Sequence, residues 1–542
     1  MNRQIRLAGA GVMALFLALF LQLNYLQVVR ASSLNHDPRN GRAVVKEFDA
    51  KRGDLVSADG VTLAHSVPSN DKFKYLRQYP QGPLFADVTG FFSFTYGADG
   101  AERTYDTTLT GVNAKLQLPT NLSDLRKLLA DSDKSQSVTL TLSSKLQAVA
   151  ADQLRGRVGS VVAINPQTGA ILALYSNPTY DPNQLSAHNQ QQVQAAYKAL
   201  GAAPGNPLSP GAYRNRWFPG STFKIITASS VYDHAPSLAT KDYPVNQALS
   251  LPDTNLQLHN FGGETCGGLL PQMFTISCNT GFAAVGLDLG AGNLYDEAHS
   301  FGFDRIPPVD LPAAAQSAFP PPSAFVRDRP GVAYSAIGQQ NVQATPLQMA
   351  LVASAIADGG TVMVPHVIDH VTDSQGNVVA TYQPKPWLNT TSSATAAALT
   401  QLMMSVVADP RGTGAAARIS GVSVAAKTGT AQTGTGKIDA WFAAFAPVPN
   451  PSIAVAVVVP DQPSGDEYQG GTIAAPIAKA VIQAYLASLP PGSVSPSSPT
   501  TVPRSPAPVQ QPPAPTVPTL PAATVPPANS NTTVTFPTPP TA

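Results

Sequence analysis

The chain has 542 residues, of which 43% are hydrophobic and only 12% charged, with 34 Lys and Arg against 33 Asp and Glu. That length exceeds one ordinary domain and calls for two or three folded units, or one large unit with flanking segments. The balanced charge leaves no global field to recruit nucleic acid, and the apolar content excludes a mainly disordered chain.

Arg3 and Arg6 precede a charge-free run from Leu7 to Val29, long enough to cross about 30 Å of hydrocarbon as one helix. The leading positive charges predict residues 1–6 in the cytoplasm, a transmembrane helix at 7–29 and everything after Arg30 outside. The expected localisation is therefore a single-pass cell-membrane protein whose main folded portion is extracytoplasmic. A cleaved signal peptide would need a shorter apolar region and small residues at a cut site, so the retained anchor is the preferred reading. Residues 30–136 mix short alternating segments, such as Ala43 to Phe48 and Asp54 to Leu63, with turn signals including Asp59-Gly60. They read as a small strand-rich stalk.

A different pattern opens near Ser137 and defines a unit over 137–489. A strand-like Val138 to Leu142 leads to a helical stretch at Lys145 to Leu154. Val161 to Ile164 and Ala170 to Tyr175 then form a hairpin about Pro166-Gln167-Thr168-Gly169. Ser452 to Val459 reads as a buried strand and Ile473 to Ala487 as a long apolar helix. Strands at both ends of the unit predict an α+β fold, one antiparallel sheet closed by sequence-distant pieces and packed with helices. Residues 490–542 hold 17 of the 51 prolines and a single charge, Arg504. Proline at that density blocks helix and removes backbone donors, so an extended disordered spacer is expected.

The chemistry gathers in the large unit. In Pro219-Gly220-Ser221-Thr222-Phe223-Lys224 a serine opens an apolar helix, and residues three apart share a helix face. The Lys224 amine can then reach the Ser221 hydroxyl and take its proton if burial lowers the lysine pKa. The spacing is not specific by itself, since Ser69-Asn70-Asp71-Lys72 matches it with no helix following. Ser277-Cys278-Asn279 and Lys427-Thr428-Gly429-Thr430 follow in order; S-x-N also recurs at Ser33-Leu34-Asn35. The conjunction of S-x-x-K, S-x-N and K-T-G is what marks penicillin-binding proteins and class A β-lactamases. Cys266 and Cys278, the only cysteines, fall in the predicted external portion, where either a disulfide or two buried thiols is consistent with the spacing.

On these motifs the chain resembles the class B penicillin-binding proteins, and among them the actinobacterial penicillin-binding protein A type. Arg52-Gly53-Asp54-Leu55 with Asp59 to Ala64 resembles the stalk signature. Gly169 to Asn183, Gln339 to Gly360 and Asp439 to Pro447 resemble stretches of the catalytic domain. The resemblance implies a penicillin-binding or serine β-lactamase-like transpeptidase domain above a dimerisation or pedestal-like stalk. It implies a peptidoglycan D,D-transpeptidase acting in cell shape or cell division, acylated by β-lactam antibiotics and requiring no cofactor. Its donor would be a stem peptide ending in D-Ala-D-Ala, its partner a membrane glycan polymerase. By the same resemblance Ser221 is the nucleophile, Lys224 the general base and Ser277 a proton relay. Asn279 holds a substrate amide and orients Lys224, Lys427 supplies positive charge, and Thr428, Gly429 and Thr430 line the carboxylate and oxyanion sites.

Other classes fit less well. A class A hydrolase uses a glutamate for deacylation, and no Glu occurs from 298 to 466. A D,D-carboxypeptidase of the same fold shares every motif. A non-catalytic β-lactam sensor or scaffold is disfavoured by intact Ser221, Lys224 and Lys427. His366 and His370 lack the glutamate of a zinc protease motif, so no metal is expected.

Overall fold

The structure, a computed structural model, describes residues 2–26, 48–111 and 134–490. Helix α1, Asn2–Asn24, is 23 residues long, exposed throughout the residues whose burial is described, and apolar enough to cross a membrane from Arg3 to Asn24. It begins five residues before the predicted span, because Arg3, Gln4 and Arg6 are good helix formers with no breaker among them. Residues 27–29 of that span, most of the Ala43 to Phe48 segment and the proline-rich tail lie outside the described residues.

The stalk contributes β1 (Leu55–Val56), β2 (Thr62–Pro68) and β3 (Tyr75–Gln78). The Asp59-Gly60 turn joins the first two, with Gly60 at φ 80°. Beneath them Glu102 is fully buried between two guanidiniums, Arg52 Nε at 2.6 Å and Arg77 Nε at 2.7 Å. Burial opposes its ionisation, but the two cations outweigh it and hold the carboxyl below its usual range.

Strand β4 (Ser137–Leu140) runs parallel to β1, with Leu55 opposite Val138. The chain continues through α2 (Ser144–Gln153) into the hairpin β5 (Gly159–Ile164) and β6 (Ile171–Asn177), as the turn at Pro166 to Gly169 predicts. Helices α3 (Lys224–His234), α4 (Asn279–Ser300) and α5 (Pro346–Ala357) follow. Next come β7 (Ile368–Thr372), β8 (Val378–Thr381) and α6 (Ser393–Ala408). Strands β9 (Ala425–Gln432), β10 (Lys437–Ala446) and β11 (Ile453–Pro463) and helix α7 (Ala475–Ser488) complete the unit.

Two sheets organise these pieces. The first has the order β8-β7-β4-β1-β2-β3, so β4 links stalk strands to strands some 230 residues further along the chain. The second has the order β9-β10-β11-β5-β6, antiparallel throughout. Its central strand β11 is buried on both faces from Ile453 to Pro460, which is why it reads as a continuous apolar run. One face packs on α2 and α7 and the other on α5, whose residues are almost all buried. Trp441 and Phe442 are fully buried in β10, one on each side. Strand β9 forms one edge of this sheet, and α6 and the turn that opens α3 pack against it.

Candidate active site

Ser221 sits in a tight helical turn, Gly220–Phe223, that runs directly into α3. The turn is pressed on the β9 edge. A Cβ at Gly429 would lie 2.8 Å from Pro219 O and 2.8 Å from Trp441 Cβ, so only glycine lets the strand and the serine turn approach this closely. One turn beyond the serine, the Lys224 side chain is fully buried. Its amine donates to Ser277 O at 2.7 Å and to Asn279 Oδ1 at 2.8 Å, and lies 3.4 Å from Ser277 Oγ.

Lys427, on β9, is also fully buried, and its amine donates to the same Ser277 hydroxyl at 2.8 Å and to Thr428 O at 3.2 Å. Two ammonium groups sharing one hydroxyl in a dry site cannot both stay charged cheaply. Burial, and then the charge of Lys427, push the Lys224 amine well below the usual lysine range. Burial brings Lys427 down to about 7. The rings of Phe282 and Phe274 lie 5.3 Å and 5.6 Å from the two nitrogens, a face-on apolar shelter that still favours the one remaining cation.

Ser277 has φ 60°. The left-handed region costs a non-glycine residue roughly 1–2 kcal/mol, and here it coincides with carbonyl and hydroxyl both meeting Lys224. The loop is pinned on either side. Cys278 is joined to Cys266 by a disulfide, with Cα atoms 5.8 Å apart. Asn260, which no motif announces, caps the start of α4 from outside. Its Oδ1 accepts from Asn279 N at 3.0 Å and Thr280 N at 2.9 Å, while its amide donates to Asn246 O and Glu264 O.

These groups border one cleft of about 290 Å³, lined by Ser221, Ser277, Asn279, Thr428 and Thr430 among others. Gly429 lies behind it, against the serine turn. Thr413 also reaches the cleft, its hydroxyl 2.6 Å from that of Thr428; its signal in the sequence is a threonine between two glycines, Gly412 and Gly414. Glu264, Asp466 and Gln469 stand on the rim and were not legible as site residues. The competing Ser69 to Lys72 match falls in a stalk turn after β2, away from the cleft. Ser33 to Asn35 lies outside the described residues.

A serine at a helix start, a buried amine one turn on, a shared hydroxyl and a second buried amine on a sheet edge define an active-site-serine acyltransferase. Residues 159–483 match the penicillin-binding protein transpeptidase domain, and residues 52–136 the penicillin-binding protein A dimerisation domain. The chain is 36% identical over 504 residues to the peptidoglycan D,D-transpeptidase PbpA of Mycolicibacterium smegmatis, covering 90% of this chain and 99% of that protein. It is equally similar over 502 residues to the Mycobacterium tuberculosis PbpA, with the same coverage of each. The ceftriaxone acyl-enzyme of M. tuberculosis penicillin-binding protein A superimposes with a TM-score of 0.74 at 34% identity, over 82% of this chain and 100% of that one. The chain belongs to the penicillin-binding protein transpeptidases.

Proposed function

We propose that the chain is a membrane-anchored peptidoglycan D,D-transpeptidase that cross-links stem peptides through an acyl-enzyme on Ser221. The observation that carries this reading is the pair of buried amines, Lys224 and Lys427, meeting at the Ser277 hydroxyl beside the serine turn. A neutral amine has two N–H groups and one lone pair. Lys224 commits two donors to Ser277 O and Asn279 Oδ1, so a neutral amine here keeps its lone pair to take up a proton.

In the proposed reaction Ser221 Oγ attacks the carbonyl of the penultimate D-alanine and gives its proton to Lys224. The oxyanion meets the backbone N–H groups of Ser221 and of Thr430 on the β9 edge, each worth about 3 kcal/mol in comparable enzymes. Collapse breaks the peptide bond, and Ser277 relays the proton from the lysine pair to the departing D-alanine amine. Asn279 holds a substrate amide and keeps Lys224 oriented; Lys427, with the Thr428 and Thr430 hydroxyls, receives the substrate carboxylate. An acceptor amine then attacks the ester and gives a proton to Lys224; the C–Oγ bond breaks, Lys224 returns that proton to Ser221 Oγ, and the cross-linked peptide leaves. A β-lactam acylates the same oxygen.

In this reading residues 30–136 form a stalk, 137–489 the catalytic unit and 490–542 a spacer. The apolar helix crosses the cell membrane once with the catalytic unit outside, where a membrane glycan polymerase of the shape or division machinery supplies nascent strands. Full-length protein in detergent, given a pentapeptide ending in D-Ala-D-Ala and an amine acceptor, should release D-alanine and form the cross-linked product in step. Release of D-alanine with free tetrapeptide alone would make it a D,D-carboxypeptidase instead.

A further inference from the structure

Outside the three motifs, one short turn touches both elements whose separation governs acyl transfer. After the helix Arg329–Ser335 the chain turns through Ala336 to Gln340, with Gly338 at φ 73° and Gln340 at φ 65°. Thr227 Oγ1, on α3, donates to Ala336 O at 2.7 Å, and Gly220 N donates to Gly338 O at 2.9 Å. A Cβ on Gly338 would lie 2.2 Å from Gly220 O, so this turn lies flat against the serine turn. From the same place the Gln339 side-chain amide reaches the end of β9. With the amide oriented to satisfy both groups, its nitrogen donates to Gln432 O at 3.1 Å and its oxygen accepts from Gln432 N at 3.0 Å.

An outermost strand leaves alternate N–H and C=O groups without a strand partner. The Gln339 amide satisfies one such pair as a peptide group of a neighbouring strand would. We propose that Gln339 is a positioning residue for acyl transfer. By bonding Gln432 while its own turn holds Gly220, it sets the separation between Ser221 and the Thr430 N–H, two residues back along β9. It also closes the edge at Gln432, so a donor peptide lying along β9 must end before that residue. This rests on Ser221 and Thr430 acting as proposed above; Gln339 itself does not line the cleft.

The test compares full-length wild type with Gln339→Ala and Gln339→Glu, measuring the saturating rate of acylation by fluorescent penicillin and the dissociation constant of the preceding complex. Gln339→Ala should slow acylation roughly 10- to 100-fold, the effect expected of misplaced reacting groups, with the complex and the melting temperature little changed. In the Gln339→Glu variant an ionised carboxylate repels Gln432 O, whereas the protonated carboxyl restores the donor. That variant should therefore be slow in mild alkali and regain rate relative to wild type as the pH falls to about 4. Rates equal to wild type in both variants, or equal losses at every pH as a purely packing role would give, overturn the inference. Label on a Ser221→Ala control, or none on wild type, overturns the nucleophile reading instead.

Discussion

At the scale of single residues, the proposed mechanism turns on two amines that burial has made unlike free lysines. At low pH both are protonated; Lys224 loses its proton first, because burial and the neighbouring charge both oppose it, and Lys427 follows at about 7. The competent state has one proton on the pair. Acylation should therefore rise as pH climbs through the depressed Lys224 pKa and decline above about 7 as the Lys427 charge is lost, a bell in rate against pH. Lys224→Ala should slow acylation roughly 10²- to 10⁴-fold, the usual contribution of a general base, while the melting curve stays cooperative. A near-normal rate in that variant, or a rate independent of pH across neutrality, would contradict the assignment. Ser221 and Lys224 were legible because a helix places positions three apart on one face. Asn260 and Thr413 were not, because each acts through a contact made only once distant loops have folded together.

Among the elements, α4 shows how a second motif is held. Its N-cap residue, Cys278, offers no side-chain acceptor to the first turn, and its sulfur is committed to Cys266. Asn260 supplies the missing acceptor from another loop. Replacing an N-cap acceptor costs about 1–2 kcal/mol. Asn260→Ala should lower stability by that amount and slow acylation, because Asn279 and Ser277 would lose their fixed approach to Lys224; melting and acylation rates unchanged from wild type would sink the claim. The elements read at the two ends of the catalytic unit follow their sequence patterns closely, from the Pro166 to Gly169 hairpin to the doubly buried β11. What the patterns could not show was pairing. Nothing local in Ser137–Leu140 says that it lies parallel to Leu55–Val56 on one side and antiparallel to β7 on the other.

For the molecule as a whole, that shared sheet makes stalk and catalytic unit one packed body within the described residues, and buried polar contacts reinforce it. Asp310 accepts from Val367 N at 2.7 Å, from Ile368 N at 3.1 Å and from the Tyr105 hydroxyl of the stalk. Arg214, seven residues before Ser221, pairs with Asp99 at 2.7 Å. Asp87 is buried at this boundary, beside Ser176 and Arg214. Burial pushes its pKa up to about 7, offset only in part by nearby Ser176 and Arg214. These groups look like ordinary surface residues in the sequence, and only the docking of the stalk makes them interior.

In the proposed reaction one oxygen, that of Ser221, forms the covalent link. The most direct measurement is peptide mapping by mass spectrometry of the full-length protein after exposure to penicillin, beside the Ser221→Ala variant. One adduct, on Ser221, is expected in wild type and none in the variant. An adduct on any other residue, or a label that survives the substitution, would contradict the claim.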